Sequence, residues 1–184
     1  MTRSAVVLLA IALCLPAVAT PATFDPAHTA FGFQLRTRWG HRVVGEFARH
    51  DGEVRSFDDG RRQVHVVLDT ASVRIAESSR YTAMARGPKF FDSARHPRIV
   101  FTSEAFPPAL LERGGALRGE LTLRGVSRAE VFDVEPAACA RPGIDCDVIA
   151  RGSVERDDYG LDGLQMVLGN RVQFSLRVRV AASP

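Results

Sequence analysis

The chain has 184 residues, 46% of them hydrophobic and 24% charged, enough to enclose one continuous apolar interior in a single domain. Its 24 Lys and Arg against 21 Asp and Glu leave a net charge of only +3, spread along the chain. That balance argues against the concentrated basic face of a nucleic-acid binder.

The first nineteen residues read as a secretory signal: Arg3 as the positive start, Ala5 to Leu15 as the apolar run, and Ala17-Val18-Ala19 as the cleavage site. The run is too short to span a bilayer, which takes about 20 residues. Cys14 follows Leu13, where a lipoprotein anchor needs a small residue. Cleavage after Ala19 removes only Arg3 among the charges, leaving 23 basic against 21 acidic residues. The expected product is a single domain over residues 20–184, periplasmic, with no stable membrane insertion.

Strand-like alternation dominates from Phe31 onward. Phe31, Phe33 and Leu35 share one face, opposite Gly32, Gln34 and Arg36. A second strand is predicted from Val43 to Val54, with Gly45 permitting a bend. Asp58-Asp59-Gly60 turns the chain into Val64, Val66 and Leu68. Ala76 to Arg86 breaks the alternation and reads as a helical crossover stopped by Gly87-Pro88, with Phe90-Phe91 on a further short helical turn before Pro97. Ile99 and Phe101 open the fourth strand, which Pro107-Pro108 ends. Leu117 to Leu123, the Phe132–Val134 stretch, Asp147 to Glu155 and Arg171 to Val180 complete a set of eight. Eight antiparallel strands suffice to close a barrel around a ligand-sized interior.

Cys139 and Cys146 flank Pro142-Gly143, a turn signal. In an exported chain a disulfide is the expected state, and two thiols without a nearby histidine make a poor metal site. His28, His41, His50, His65 and His96 form no ligand cluster by spacing, and no H-E-x-x-H, G-x-S-x-G or G-x-G-x-x-G motif occurs. Neither a metal nor a catalytic residue is predicted. Arg156 and Asp158 read as a charged pair that fixes the turn before the last strand, with contact to a polar headgroup as the other reading.

Three blocks carry a resemblance: KFFDSARHPRIVFTSEAF (Lys89 to Phe106), GELTLRGVSRAEVFDVE (Gly119 to Glu135) and RDDYGL (Arg156 to Leu161). Together with Gly45-Glu46-Phe47 and in this order, they resemble the bacterial YceI-like family. The resemblance implies an elongated, eight-stranded, lipocalin-like barrel, all-β, with a helical crossover between strands three and four. It implies a carrier of long apolar lipids, polyisoprenoids above all, with isoprenoid quinones and fatty amides as variants, and no other cofactor. Where relatives carry an acid after the arginine of the helical segment, this chain has Arg80-Tyr81, so that acid's polar contact does not transfer.

In such a barrel the apolar phase is at once core and pocket wall. Phe31, Phe33, Leu35, Val66, Leu68, Phe101, Leu121, Leu123 and Phe174 are therefore candidate lumen residues. Trp39, Tyr81, Met84, Phe90 and Phe91, near bends or the crossover, are candidates for the mouth or a deep tunnel. An ordinary packed core accounts for the strand residues equally well from the residues alone. A lipocalin-like enzyme and an interaction module with a filled core stay open as alternatives, and so does a homodimer.

Overall fold

The computed structural model describes residues 21–76 and 78–181, so the predicted signal segment lies outside the described residues. The strands are β1 (Ala22–Thr23), β2 (Ala30–Thr37), β3 (Arg42–Phe47), β4 (His50–Ser56), β5 (Arg62–Asp69), β6 (Val73–Ile75), β7 (Arg98–Ser103), β8 (Gly115–Leu123), β9 (Val126–Val134), β10 (Val148–Glu155) and β11 (Leu168–Val178). Helix α1 (Ser79–Arg86) lies between β6 and β7, and helix α2 (Ala109–Arg113) between β7 and β8. All eleven strands belong to one sheet, ordered β1-β4-β5-β7-β8-β9-β10-β11-β2-β3-β6.

Two corners make the sheet curl. Strands β3 and β4 are far apart in the sheet, yet only Ala48 and Arg49 separate them in the chain. A 3-10 turn at Thr70–Ser72 likewise passes β5 into β6, and β4 pairs with β5 while β3 pairs with β6. Ser72 pins the two corners together: its hydroxyl accepts from the Arg49 N–H at 2.9 Å and donates to the Asp69 carbonyl at 2.7 Å. At the other end the chain around β1 bridges β4 to the end of β11, through Phe24 paired with Val180 and the Ala181 N–H on the Thr23 carbonyl at 2.8 Å.

Sequence periodicity predicts eight strands and one crossover; the described residues form eleven strands and two α-helices. The difference has a physical source. The corner at Ala48–Arg49 splits the predicted Val43–Val54 strand in two, β6 follows the second corner in residues that carried no strand prediction, and β1 adds a short edge piece. Helix α2 starts where Pro107-Pro108 was predicted only to end a strand. Phe90-Phe91 lies on hydrogen-bonded turns rather than a helix, closed by the His96 N–H on the Asp92 carbonyl at 2.8 Å.

Period-two burial matches the predicted faces. Phe31, Phe33 and Leu35 of β2 are buried, as are Ile99 and Phe101 of β7, Leu117, Leu121 and Leu123 of β8, and Val172 and Phe174 of β11. Gly45 of β3 faces inward opposite Phe33, and a Cβ there would stand 2.4 Å from the Phe33 ring. Glycine is what lets that ring lie across the strand.

Candidate functional site

Two apolar cavities occupy opposite ends of the enclosed face. In the β2–β11 ladder, Thr37 opposite Leu168 marks one end and Ala30 opposite Arg177 the other. The larger cavity, about 450 Å³, opens at the first end. Its walls are Phe33 and Leu35 of β2, Val43 and Val44 of β3, Ile75, Tyr81, Met84 and Ala85 of α1, Phe90, and Leu164, Val167 and Leu168. Trp39 and His41 of the β2–β3 hairpin stand at the rim.

The smaller cavity, about 210 Å³, lies at the other end among Phe24, Val54, Val64, Phe106, Leu111, Val134, Val148 and Val178. Pro142, Gly143 and Ile144 form part of its lining. They belong to the loop that the Cys139–Cys146 disulfide ties off, with Cα atoms 6.1 Å apart. The Val180 N–H on the Gly143 carbonyl at 2.7 Å holds this loop to the last strand.

Between the cavities the interior is packed. Phe31, Leu68, Ile99, Phe101, Leu121, Phe132 and Phe174 surround a void of only about 20 Å³. Phe101 and Phe132 meet edge to face with centroids 4.8 Å apart. A void of that size has room for one water at most, and its walls offer no polar partner.

The predicted lumen residues therefore divide. Phe33, Leu35, Trp39, Tyr81, Met84 and Phe90 line the larger cavity. Val66 and Phe101 line the smaller one and also join Phe31, Leu68, Leu121 and Phe174 at the waist. Phe91 and Leu123 are buried and line neither cavity; Phe91 packs edge-on against Phe90, centroids 4.7 Å apart. Sequence reasoning missed Leu164 and Val167, whose segment carries no strand alternation, Leu168 at the start of β11, and the contribution of Pro142 to Ile144 to the smaller cavity.

Helix α1 is held over the larger cavity by specific bonds. Ser78 caps it by accepting from the Tyr81 N–H at 3.2 Å. The Ile75 N–H donates to Thr82 Oγ1 at 2.9 Å, and Arg86 donates to the Val73 carbonyl at 2.8 Å. The helix is thereby fixed to β6 while Tyr81 and Met84 remain partly exposed.

The wall formed by residues 163–169 is held from beneath by Arg156. This arginine is only 1% exposed and lies with its guanidinium 5.3 Å from the Phe90 ring centre. It donates to the Gly163 and Gly169 carbonyls, and Nε has no partner. Burial pushes its pKa below the usual guanidinium value. The predicted Arg156–Asp158 pair does not form: Asp158 pairs instead with Arg128 at 3.3 Å. Nearby, buried Tyr159 donates to Glu130 at 2.7 Å, and burial drives its pKa far upward.

The polar side chains on the larger cavity are Thr37, His41, Arg42 and Tyr81, all at its mouth or rim. Among the described residues no group of three His, Cys, Asp or Glu is placed to hold a metal ion, and no helix is long and apolar enough to cross a membrane.

The model of the YceI-like domain matches residues 23–180. The chain belongs to the YceI-like family. One relative, the UPF0312 protein SAS2572 of Staphylococcus aureus, is 24% identical over 169 residues, spanning 88% of this chain and 94% of its own. Among solved structures, Burkholderia cenocepacia BcnA superposes with a TM-score of 0.69 at 18% identity, covering 86% of this chain and 99% of that one. A domain from Saccharophagus degradans, described as polyisoprenoid binding and implicated in plant cell wall breakdown, gives 0.67 at 14% identity over 89% and 100%. At such identities the likeness is one of fold. The YceI-like assignment made from the three sequence blocks holds.

Proposed function

We propose that this YceI-like protein is a periplasmic carrier that holds the chain of a polyisoprenoid or similar long apolar lipid in the larger cavity and performs no chemistry on it. The observation that carries this reading is the cavity itself: about 450 Å³, walled by Phe, Leu, Val, Ile and Met side chains, with polar groups only at its open end. Its volume falls within the roughly 300–1,000 Å³ of small-molecule sites. The Saccharophagus fold neighbour, described as polyisoprenoid binding, supports the ligand class. Periplasmic residence rests on the signal-like start of the sequence and agrees with the Cys139–Cys146 bridge.

The energetics need no catalytic constellation. Each methylene moved out of water contributes roughly 0.8 kcal/mol, and ordering of the chain and loss of its free motion oppose the sum. An apolar wall with a polar mouth suits a lipid whose headgroup stays outside. A chain too long for the larger cavity reaches the smaller one only if the Phe101–Phe132 waist opens.

The test is overpacking at the mouth. Met84→Trp enlarges a partly exposed residue, so it costs little stability while narrowing the cavity. The expected result is a folded protein that takes up less polyprenol from a dispersed stock, measured by extraction and mass spectrometry. Wild-type uptake by the folded variant would remove the lipid from this cavity.

A further inference from the structure

From the rim of the larger cavity we propose that the protein docks, mouth first, on an anionic phospholipid bilayer; this rests on the carrier reading above and names where the cargo is exchanged. Three segments meet at the rim: the β2–β3 hairpin, α1 and the loop before β11. They carry the largest apolar side chains that the fold leaves in water. Met166 is 82% exposed, Trp39 69% and Tyr81 51%, with Val167 beside them. Two bonds lock the hairpin to the loop: the Arg38 N–H on the Val167 carbonyl at 2.9 Å, and Arg38 Nε on the Gln165 carbonyl at 2.8 Å. Trp39 and Met166 therefore stand on a coupled, braced platform rather than on independent loops.

The charge around this apolar rim is one-sided. The hairpin and its flanks, residues 36–44, hold Arg36, Arg38 and Arg42 and no acid, and α1 adds Arg80 and Arg86. No acid lies within α1, and the loop before β11 holds one, Asp162. None of the described carboxylates forms an ion pair with Arg36, Arg38 or Arg42. Elsewhere Arg49, Arg61, Arg128, Arg141, Arg171 and Arg179 each have a carboxylate partner, while Arg55, Arg74, Arg95, Arg98, Arg113 and Arg118 have none among the described residues; what sets the rim apart is that residues 36–44 of its hairpin and its helix carry no acid at all. A second copy of the chain would set arginine against arginine at this face. An anionic headgroup layer answers the arginines, and its interface accepts Trp, Tyr and Met side chains at the depth where the cavity opens. Docked this way, the lipid passes between bilayer and cavity without crossing water.

The closing experiment pellets the mature protein with sucrose-loaded vesicles of phosphatidylcholine alone or mixed with phosphatidylglycerol, while Trp39, the one tryptophan of the chain, reports its own environment. The proposal expects pelleting and a blue shift of Trp39 emission with the mixed vesicles, both weakened by salt and by omission of phosphatidylglycerol. Arg36→Glu combined with Arg80→Glu, both exposed and outside the cavity wall, is expected to lower the vesicle affinity roughly tenfold or more. Met166→Ser tests the apolar half independently and is expected to weaken pelleting at every salt concentration. Each variant is checked by its melting curve. No pelleting with mixed vesicles, equal pelleting with both compositions, or undiminished binding by the folded double variant overturns the proposal. Lipid carriage is read separately by extracting the same preparations, so the docking and carrier readings fail by different measurements.

Discussion

Replacing Arg156 with lysine keeps a cation at the site but removes the planar fork. Arg156 spans two carbonyls, Gly163 and Gly169, and covers Phe90 at 5.3 Å. The two carbonyls are served by two different guanidinium nitrogens, and a lysine offers a single one, so the expectation is that one charge-assisted bond is lost, worth about 1.5–3 kcal/mol. Part of the contact with Phe90 goes as well, about 1 kcal/mol. The sum is roughly 3 kcal/mol, and for a domain of this size that lowers the melting temperature by roughly 6–12 °C. Because the lost bonds hold residues 163–169, the same variant should be cut faster by a protease within that loop. Arg156→Met separates bonding from charge. It removes the donors and also the buried cation, so a fall similar to that of Arg156→Lys assigns the effect to the hydrogen bonds. The measurements are urea and thermal unfolding with timed limited proteolysis. An Arg156→Lys protein within about 0.5 kcal/mol of wild type, with an unchanged cleavage pattern, would refute the strut.

Three further outcomes are expected. His50 is partly buried edge-on against Phe31, and desolvation lowers its pKa from the ordinary 6.5. The unfolded chain therefore takes up the proton first; this contribution to stability is complete above pH 6.5 and is lost as pH falls through the lower folded pKa. His50→Gln should flatten that part of a stability-against-pH curve, and an unaltered slope would contradict the assignment. Protein lacking residues 1–19, and with them Cys14, should contain no titratable thiol after denaturation, and replacing both Cys139 and Cys146 with serine should cost roughly 2–3 kcal/mol by loop-closure entropy, read by urea unfolding. Gly45→Ala places a methyl 2.4 Å from the Phe33 ring and 2.8 Å from Ile75 Cδ1, so it should push Phe33 toward the larger cavity. A loss of about 1–3 kcal/mol together with weaker lipid uptake is expected, and full uptake would show that Phe33 has room elsewhere.

Much of the fold was legible because a half-buried strand writes its two faces into alternate residues. Phe31, Phe33 and Leu35, or Val172 and Phe174, leave no doubt which way they point. The corners at Ala48–Arg49 and Thr70–Ser72 were not legible, since neither carries a glycine or proline and each is held by a bond from Ser72 across the sheet. Helix α2 is too short for a period to register, and its proline pair reads equally as the end of a strand.

Alternation also gives phase without depth. It marks Leu35 and Leu121 as inward alike, although one lines an open cavity and the other the packed waist. The rim residues Trp39, Tyr81 and Met84 were found from bends and the crossover, whereas Leu164 and Val167 sit in a loop with no pattern to read. The pairing of Asp158 with Arg128, 30 residues earlier, is tertiary and invisible in a local motif.

The carrier reading meets its most direct test in the organic extract of protein purified from its own source and washed free of membrane. Mass spectrometry of that extract should yield one dominant long-chain isoprenoid-type lipid in stoichiometric amount, depleted in Met84→Trp prepared alongside. Folded wild-type protein whose extract contains no lipid above that of an unrelated periplasmic control would contradict the account.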